Sequence, residues 1–158
     1  MKLEIINALD LPERLMPFFE DYHKFLMEKD PQLRKFLIMQ SFDDETEHLH
    51  EKYGEGGIYI VNVDGKDVGC IAFKKLDETT CEVKRVFLYD EYRGLGIGRR
   101  MMDRIITDAR AKGYKTMLLD TLPNLTDALG LYEKIGFKPT EKYNDNPLDY
   151  AIFLKLEL

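Results

Sequence analysis

The stretch Cys81–Gly113, CEVKRVFLYDEYRGLGIGRRMMDRIITDARAKG, constrains this chain more than any other. It opens with residues suited to a strand: Val83, Val86, Phe87, Leu88 and Tyr89 are β-branched, aromatic or apolar. A polar bend at Asp90 and Glu91 leads into Arg93-Gly94-Leu95-Gly96-Ile97-Gly98, and then into an amphipathic helix. Ile97, Met101, Ile105 and Ala109 form one stripe of that helix, with Met102 and Ile106 beside it; the charged residues fall elsewhere. Gly113 stands where a left-handed C-cap would end it.

A strand, a glycine turn and a helix N-terminus together make a place for an anion. Without Cβ atoms, Gly94, Gly96 and Gly98 let the chain turn sharply and let ligand oxygens approach the backbone. The first N–H groups of the helix lack partners, and its dipole favours negative charge there. Arg93, Arg99 and Arg100 could add guanidinium contacts to the same phosphate. Taken alone, the glycines fit a plain strand-to-helix turn equally well. Two nucleotide motifs are excluded. The third glycine of G-x-G-x-x-G is replaced by Met101, and no Gly-Lys-Ser/Thr follows.

With 158 residues the chain suits one domain, residues 1–158. A net charge of -6 argues against nucleic acid and is compatible with a cationic or amine substrate. There is no apolar run of membrane-span length and no signal-peptide pattern at the N-terminus. Cys70 and Cys81 lie in expected strands without C-x-x-C spacing, which predicts reduced core residues of a cytoplasmic protein.

Around the central stretch, the pattern predicts a strand over Lys2–Asn7 and a helix from Leu11 to Asp30-Pro31. QLRKFLIMQ fits a short helix or a loop, and Ser41 reads as the N-cap of a second helix reaching Tyr53. Ile58–Val63 and Asp67–Leu76 flank Asp64-Gly65 as a hairpin. Tyr114–Asp120 must return parallel to the central strand, because a helix crosses between them. A helix over Thr126–Ile135 ends at Gly136, a strand begins at Phe137, and Leu148–Leu158 closes the sheet. The expected fold is α/β (α+β): a mixed, mostly antiparallel sheet of six to seven strands, with a central parallel pair and helices on both faces.

The Arg-x-x-Gly-x-Gly loop after a strand resembles the acetyl-CoA pyrophosphate loop of the GNAT N-acetyltransferase superfamily. The later segment containing Ala128, Leu131, Tyr132, Gly136 and Phe137 is similar to that family's Ala-x-x-Leu-Tyr-x-x-x-Gly-Phe signature. The element order also matches the GNAT fold. The resemblance implies that Phe87 and Leu88 border the acetyl and pantetheine arm. It implies that Arg93, Gly94, Leu95, Gly96, Ile97, Gly98 and Arg99 take the pyrophosphate, and that Tyr132 stands near the thioester sulfur. One departure is visible. Many relatives carry Asn three residues before the helix alanine, where this chain has Leu125; Asn124 is the neighbouring candidate.

Such enzymes let an amine attack the thioester of acetyl-CoA directly, in a ternary complex. A lysine-like amine with pKa about 10.4 costs roughly 4–5 kcal/mol to neutralise at pH 7. The oxyanion needs a donor, which a backbone N–H near Phe87–Leu88 could supply. The leaving thiolate needs a proton, and Tyr132 is the candidate general acid; periodicity alone would pack it in the helix's apolar face. Glu82 is the candidate general base, with an exposed strand glutamate paired to Lys84 as the equal alternative. His48 and His50 face different ways on a helix, and no metal site is expected. Tyr22–Tyr53 and the loop Lys142–Pro147 could line the acceptor site. The rival functions are a non-catalytic acyl-CoA-binding or sensing module and a structural domain with an empty loop. The apolar residues Ile152–Leu158 could also pair as an edge across a homodimer.

Overall fold

The computed structural model describes residues 1–33 and 42–158. Its strands are β1 (Leu3–Asn7), β2 (Gly57–Val63), β3 (Lys66–Lys75), β4 (Thr80–Leu88), β5 (Thr116–Thr121), β6 (Lys138–Pro139) and β7 (Ile152–Glu157). Its helices are α1 (Pro12–Lys29), α2 (Phe42–Glu47), α3 (Leu49–Tyr53), α4 (Ile97–Ala111) and α5 (Thr126–Ile135). The strands form one sheet in the order β1-β2-β3-β4-β5-β7-β6. Among the described residues only β4 and β5 run parallel; the other pairs are antiparallel. The hairpin turn takes positive φ at Asp64 (51°) and Gly65 (89°), the combination that matches the twist of the strands it joins.

Two apolar layers sandwich the sheet. Ile97, Met101, Met102, Ile105, Ile106 and Ala109 of α4 pack with Tyr59, Val61, Ile71, Phe73, Cys81 and Val83 on one face. On the other, Leu15, Phe18 and Phe19 of α1 pack with Ile58, Ile60, Cys70, Ala72 and Phe87. Helix α4 stops in a Schellman motif. Tyr114 N–H reaches Ala109 O at 3.1 Å and Gly113 N–H reaches Arg110 O at 3.0 Å, with Gly113 at φ 92°.

Three expectations need correction. The helix expected to reach Tyr53 is broken at His48 into α2 and α3; its expected cap, Ser41, and most of QLRKFLIMQ lie outside the described residues. The closing strand begins at Ile152 rather than Leu148, because Lys142–Ala151 is tied up in a loop of Asn side-chain bonds: Asn146 N–H bonds Asn144 Oδ1 and Leu148 N–H bonds Asn146 Oδ1. Finally, β7 is not an edge strand, since β6 covers it at Lys155 and Leu154.

Strand β4 carries a register shift beside the cleft. Cys70 pairs with Phe87 and Ala72 with Lys84, so Ile71 alone stands opposite both Arg85 and Val86. This is a β-bulge, and Arg85 takes φ 57°, a value that costs a non-glycine residue about 1–2 kcal/mol. The bulge changes the side-chain alternation. Glu82, Lys84, Arg85 and Phe87 all come to the α1 face, while Cys81, Val83 and Leu88 stay on the α4 face.

The α4 layer is the packing floor beneath this bulge, and Ile105 is wholly buried in it. Ile105→Ala is expected to cost about 2–5 kcal/mol, read as a lower urea midpoint with an unchanged slope. An unaltered midpoint would contradict that packing.

Candidate active site

The parallel ladder between β4 and β5 is short. It pairs Thr80 with Thr116, Cys81 with Met117 and Glu82 with Leu118, and then stops. Beyond that point β4 bends at its bulge and β5 continues beside β7, so the two strands part. A cleft of about 1500 Å³ follows the opening, from the glycine loop past β4, β5 and α5 to the acidic and basic side chains under α1. That is more than the 300–1,000 Å³ typical of a single ligand pocket.

At one end lies the N-terminus of α4. Gly94 and Gly96 take φ 75° and 79°, and a Cβ on either would meet nothing within 4 Å, so their outer side faces open space. No side chain caps this helix and its first turn holds no acid, whereas α1, α3 and α5 carry Glu13, Glu51 and Asp127 in theirs. Its unpaired N–H groups and positive dipole end therefore look into the cleft with Arg99 beside them. The arginines are held within the chain. Arg93 donates from Nε to Leu88 O (3.2 Å), pairs with Asp90 (3.1 Å) and stacks on Phe25 at 4.9 Å. Arg99 pairs with Asp103 at 3.0 Å.

Tyr132 stands on the cleft wall, one turn before the end of α5. A second Schellman motif fixes it there. Phe137 N–H reaches Tyr132 O at 3.0 Å, Gly136 N–H reaches Glu133 O at 3.1 Å with φ 116°, and the Phe137 ring packs on Tyr132 at 5.6 Å. Burial pushes the Tyr132 phenol well above its ordinary range.

Glu82 is 2% exposed rather than an exposed strand glutamate, and the expected pairing with Lys84 is present at 3.5 Å. Its Oε2 accepts from Tyr143 Oη at 2.5 Å and from Asn144 Nδ2 at 3.2 Å. Its Oε1 faces Lys84 Nζ at 3.5 Å and Lys74 Nζ at 3.8 Å. Asn144 also donates to Asp120 Oδ2 at 2.7 Å, joining the two lips of the opening. Burial, then the hydrogen bond to Glu82, raises the Tyr143 phenol far above its usual value.

Beside this network Glu45 accepts from Arg85 Nη2 (2.5 Å), Tyr53 Oη (2.5 Å) and Lys52 Nζ (2.7 Å). The Arg85 guanidinium also stacks over Phe19 and Tyr22.

The structure thus brings Phe87, Leu88, Arg93, Gly94, Gly96, Gly98, Arg99, Asn124, Tyr132 and Glu82 onto one cleft. Leu95 is exposed on the loop's outer side, and Ile97 is buried in the core beneath it. The Asn124 amide is engaged, donating to Lys29 O at 2.6 Å. Sequence reasoning missed Tyr143, Asn144, Asp120, Arg85 and Glu45 as individual site residues; the available signal was the polar loop Lys142–Pro147. Among the described residues no group of three or more His, Cys, Asp or Glu could hold a metal ion, and no helix is long and apolar enough to cross a membrane.

A splayed parallel pair facing an uncapped helix N-terminus makes a cleft that can take an anion at one end. The model of the acetyltransferase (GNAT) family matches residues 15–137, and the chain belongs to that family. An uncharacterized N-acetyltransferase of Schizosaccharomyces pombe is 35% identical over 157 residues, 97% of this chain and 94% of that protein. The crystal structure of an acetyltransferase from Streptococcus agalactiae superposes with TM-score 0.77 at 23% identity, covering 99% of this chain and 98% of that one. The yncA structure from Salmonella typhimurium, solved with its cofactor acetyl-CoA, has TM-score 0.74 at 16% identity and covers 99% and 94%.

Glu45 tests the electrostatics directly. Burial would raise its carboxyl, but Arg85, with hydrogen bonds from Lys52 and Tyr53, outweighs burial and holds it at about 2, below the ordinary 4.5. A depressed folded value means stability present above pH about 4.5 and lost as pH falls to about 2, worth about 3 kcal/mol. Urea unfolding across that window should show this loss in the wild type and not in Glu45→Gln. Parallel curves would contradict it.

Proposed function

We propose that the chain, acting as one domain over residues 1–158, transfers the acetyl group of acetyl-CoA to a primary amine of a small molecule, amino acid or peptide. The observation that carries this reading is the opening between β4 and β5, with an uncapped helix N-terminus at one end and a buried carboxylate at the other. The residues fit acetyl-CoA: open space outside Gly94 and Gly96 admits a pyrophosphate to the α4 N–H groups, and the unpaired edges of β4 and β5 offer backbone partners to a pantetheine amide.

The residues divide the work. Arg93 holds the loop against the end of β4 through Leu88 O, and Gly96 and Gly98 bring the first helical turn to the phosphates. Arg99 adds a cation beside them, and Asn124, fixed to Lys29 O, borders the pantetheine arm. The free edge of β4 at Phe87–Leu88 supplies an N–H to the carbonyl oxygen as negative charge develops on it. Glu82, directly or through one water, takes the proton of the attacking amine as the C–N bond forms and the C–S bond breaks. Tyr132, a phenol too hard to ionise to act as a strong acid, donates a hydrogen bond to the departing sulfur. The proton held at Glu82 ends on the thiolate or in solvent.

Thiol release from acetyl-CoA over an amine panel tests the reading. Turnover should rise with pH as the acceptor loses its proton, and Glu82→Gln should lower kcat/KM by about 100-fold or more, within the range of general-base contributions. Acetyl-CoA binding without thiol release on any amine would favour an acyl-CoA-sensing role instead. An unaltered pH profile in Glu82→Gln would remove Glu82 from proton transfer.

A further inference from the structure

The acceptor half of the cleft is unusual for a protein of net charge -6. Lys74 and Lys84 come from adjacent strands, β3 and β4, and their ammonium groups converge on the same oxygen of Glu82, at 3.8 and 3.5 Å. The other oxygen is already taken by Tyr143 and Asn144. Among the described residues Glu82 is the one acid within 4 Å of either lysine. Two partly buried lysine side chains thus share half a carboxylate, without a close hydrogen bond to it, and both line the cleft. Like charges gather further along the same wall. Lys52 is committed to Glu45, and its pKa is lowered by burial, with Arg85 and Lys84 adding to the effect. Asp120, on the opposite lip, is held by Asn144 and Asn146 and does not neutralise the pair.

Partly desolvated cations without full counter-charge are costly, and an incoming anion relieves that cost. We propose that the acceptor amine carries an anionic group, a carboxylate in the simplest case, that seats between Lys74 and Lys84 while its amine lies beside Glu82. The substrate class is then an amino-acid-like amine rather than a plain alkylamine or polyamine. Lys74 and Lys84 act as specificity-determining residues; a phosphonate would satisfy the same chemistry. This inference rests on the acetyltransferase reading of the same cleft.

The test uses the full chain saturated with CoA for binding and with acetyl-CoA for turnover. Matched probes are L-amino acids, their carboxamides, and aminoethylphosphonate. The neighbouring carboxylate makes the amine of an amino acid more basic, so intrinsic reactivity at pH 7 favours the carboxamide. A preference for the acid therefore reports recognition. The expected result is that the acid gives a larger thermal shift and at least 10-fold higher kcat/KM than its carboxamide. The expected change in Lys74→Met/Lys84→Met is loss of that ratio, read as a larger rise in KM for the acid than for its carboxamide. Aminoethylphosphonate preferred over the amino acids would keep the anionic site and name a phosphonate-type acceptor. Equal treatment of acid and carboxamide, or no binding of either, overturns the inference. So does weaker acetyl-CoA binding in the double variant, because the lysines would then serve the cosubstrate. Absent acetyl-CoA binding in the wild type is a separate outcome: it overturns the acetyltransferase reading itself.

Discussion

The pairing of Arg85 with Glu45 is the interaction on which the site depends. Arg85 sits at the first position of the β4 bulge with φ 57°, where glycine is the usual residue. Its guanidinium bonds Glu45 through both Nη2 and Nε and stacks on two aromatic rings of α1, while Cys70 donates its S–H to the Arg85 carbonyl at 3.3 Å. Burial pushes that thiol up to about 12, so it stays a protonated donor. Backbone strain at one residue is thus offset by a buried charge pair and its hydrogen bonds. The bulge lies just beyond Glu82, the last residue of the parallel ladder, and a bulged strand bends locally.

The same bulge organises the chemistry. By adding one residue to β4 it turns Lys84 and Arg85, consecutive in sequence, toward the same face, with Glu82 and Phe87. A regular strand would have sent Arg85 to the α4 layer, into a packed apolar core. With the bulge, the α4 face stays apolar, while the α1 face carries the acceptor network and an aromatic cluster in which Phe18, Tyr22 and Phe25 surround Phe87.

Much of the fold was legible because its signals are local. The α4 stripe, the glycines at positive φ and the Asp64-Gly65 turn each act within a few residues. The Tyr132-x-x-x-Gly136-Phe137 pattern was recognisable for a physical reason as well. It spells a Schellman cap, in which Gly136 supplies the left-handed residue and Phe137 the apolar contact back to Tyr132. What sequence could not give was long-range pairing. Tyr143 meets Glu82 across 61 residues and Arg85 meets Glu45 across 40, and no spacing rule links them. The bulge was hidden for a different reason: its first residue is an arginine, and the glycine that would have marked it is absent. The break between α2 and α3 was equally invisible, with neither proline nor glycine at His48.

Calorimetric titration of acetyl-CoA and CoA onto wild type and Gly96→Val tests whether the α4 N-terminus and the parted strands form an acetyl-CoA site. At φ 79° a branched side chain strains the loop and closes the open space before the first helical N–H groups. The wild type should bind in the micromolar range, and binding should be lost in a variant that still folds by circular dichroism. Absence of binding by the wild type, or equal binding by both proteins, would contradict it.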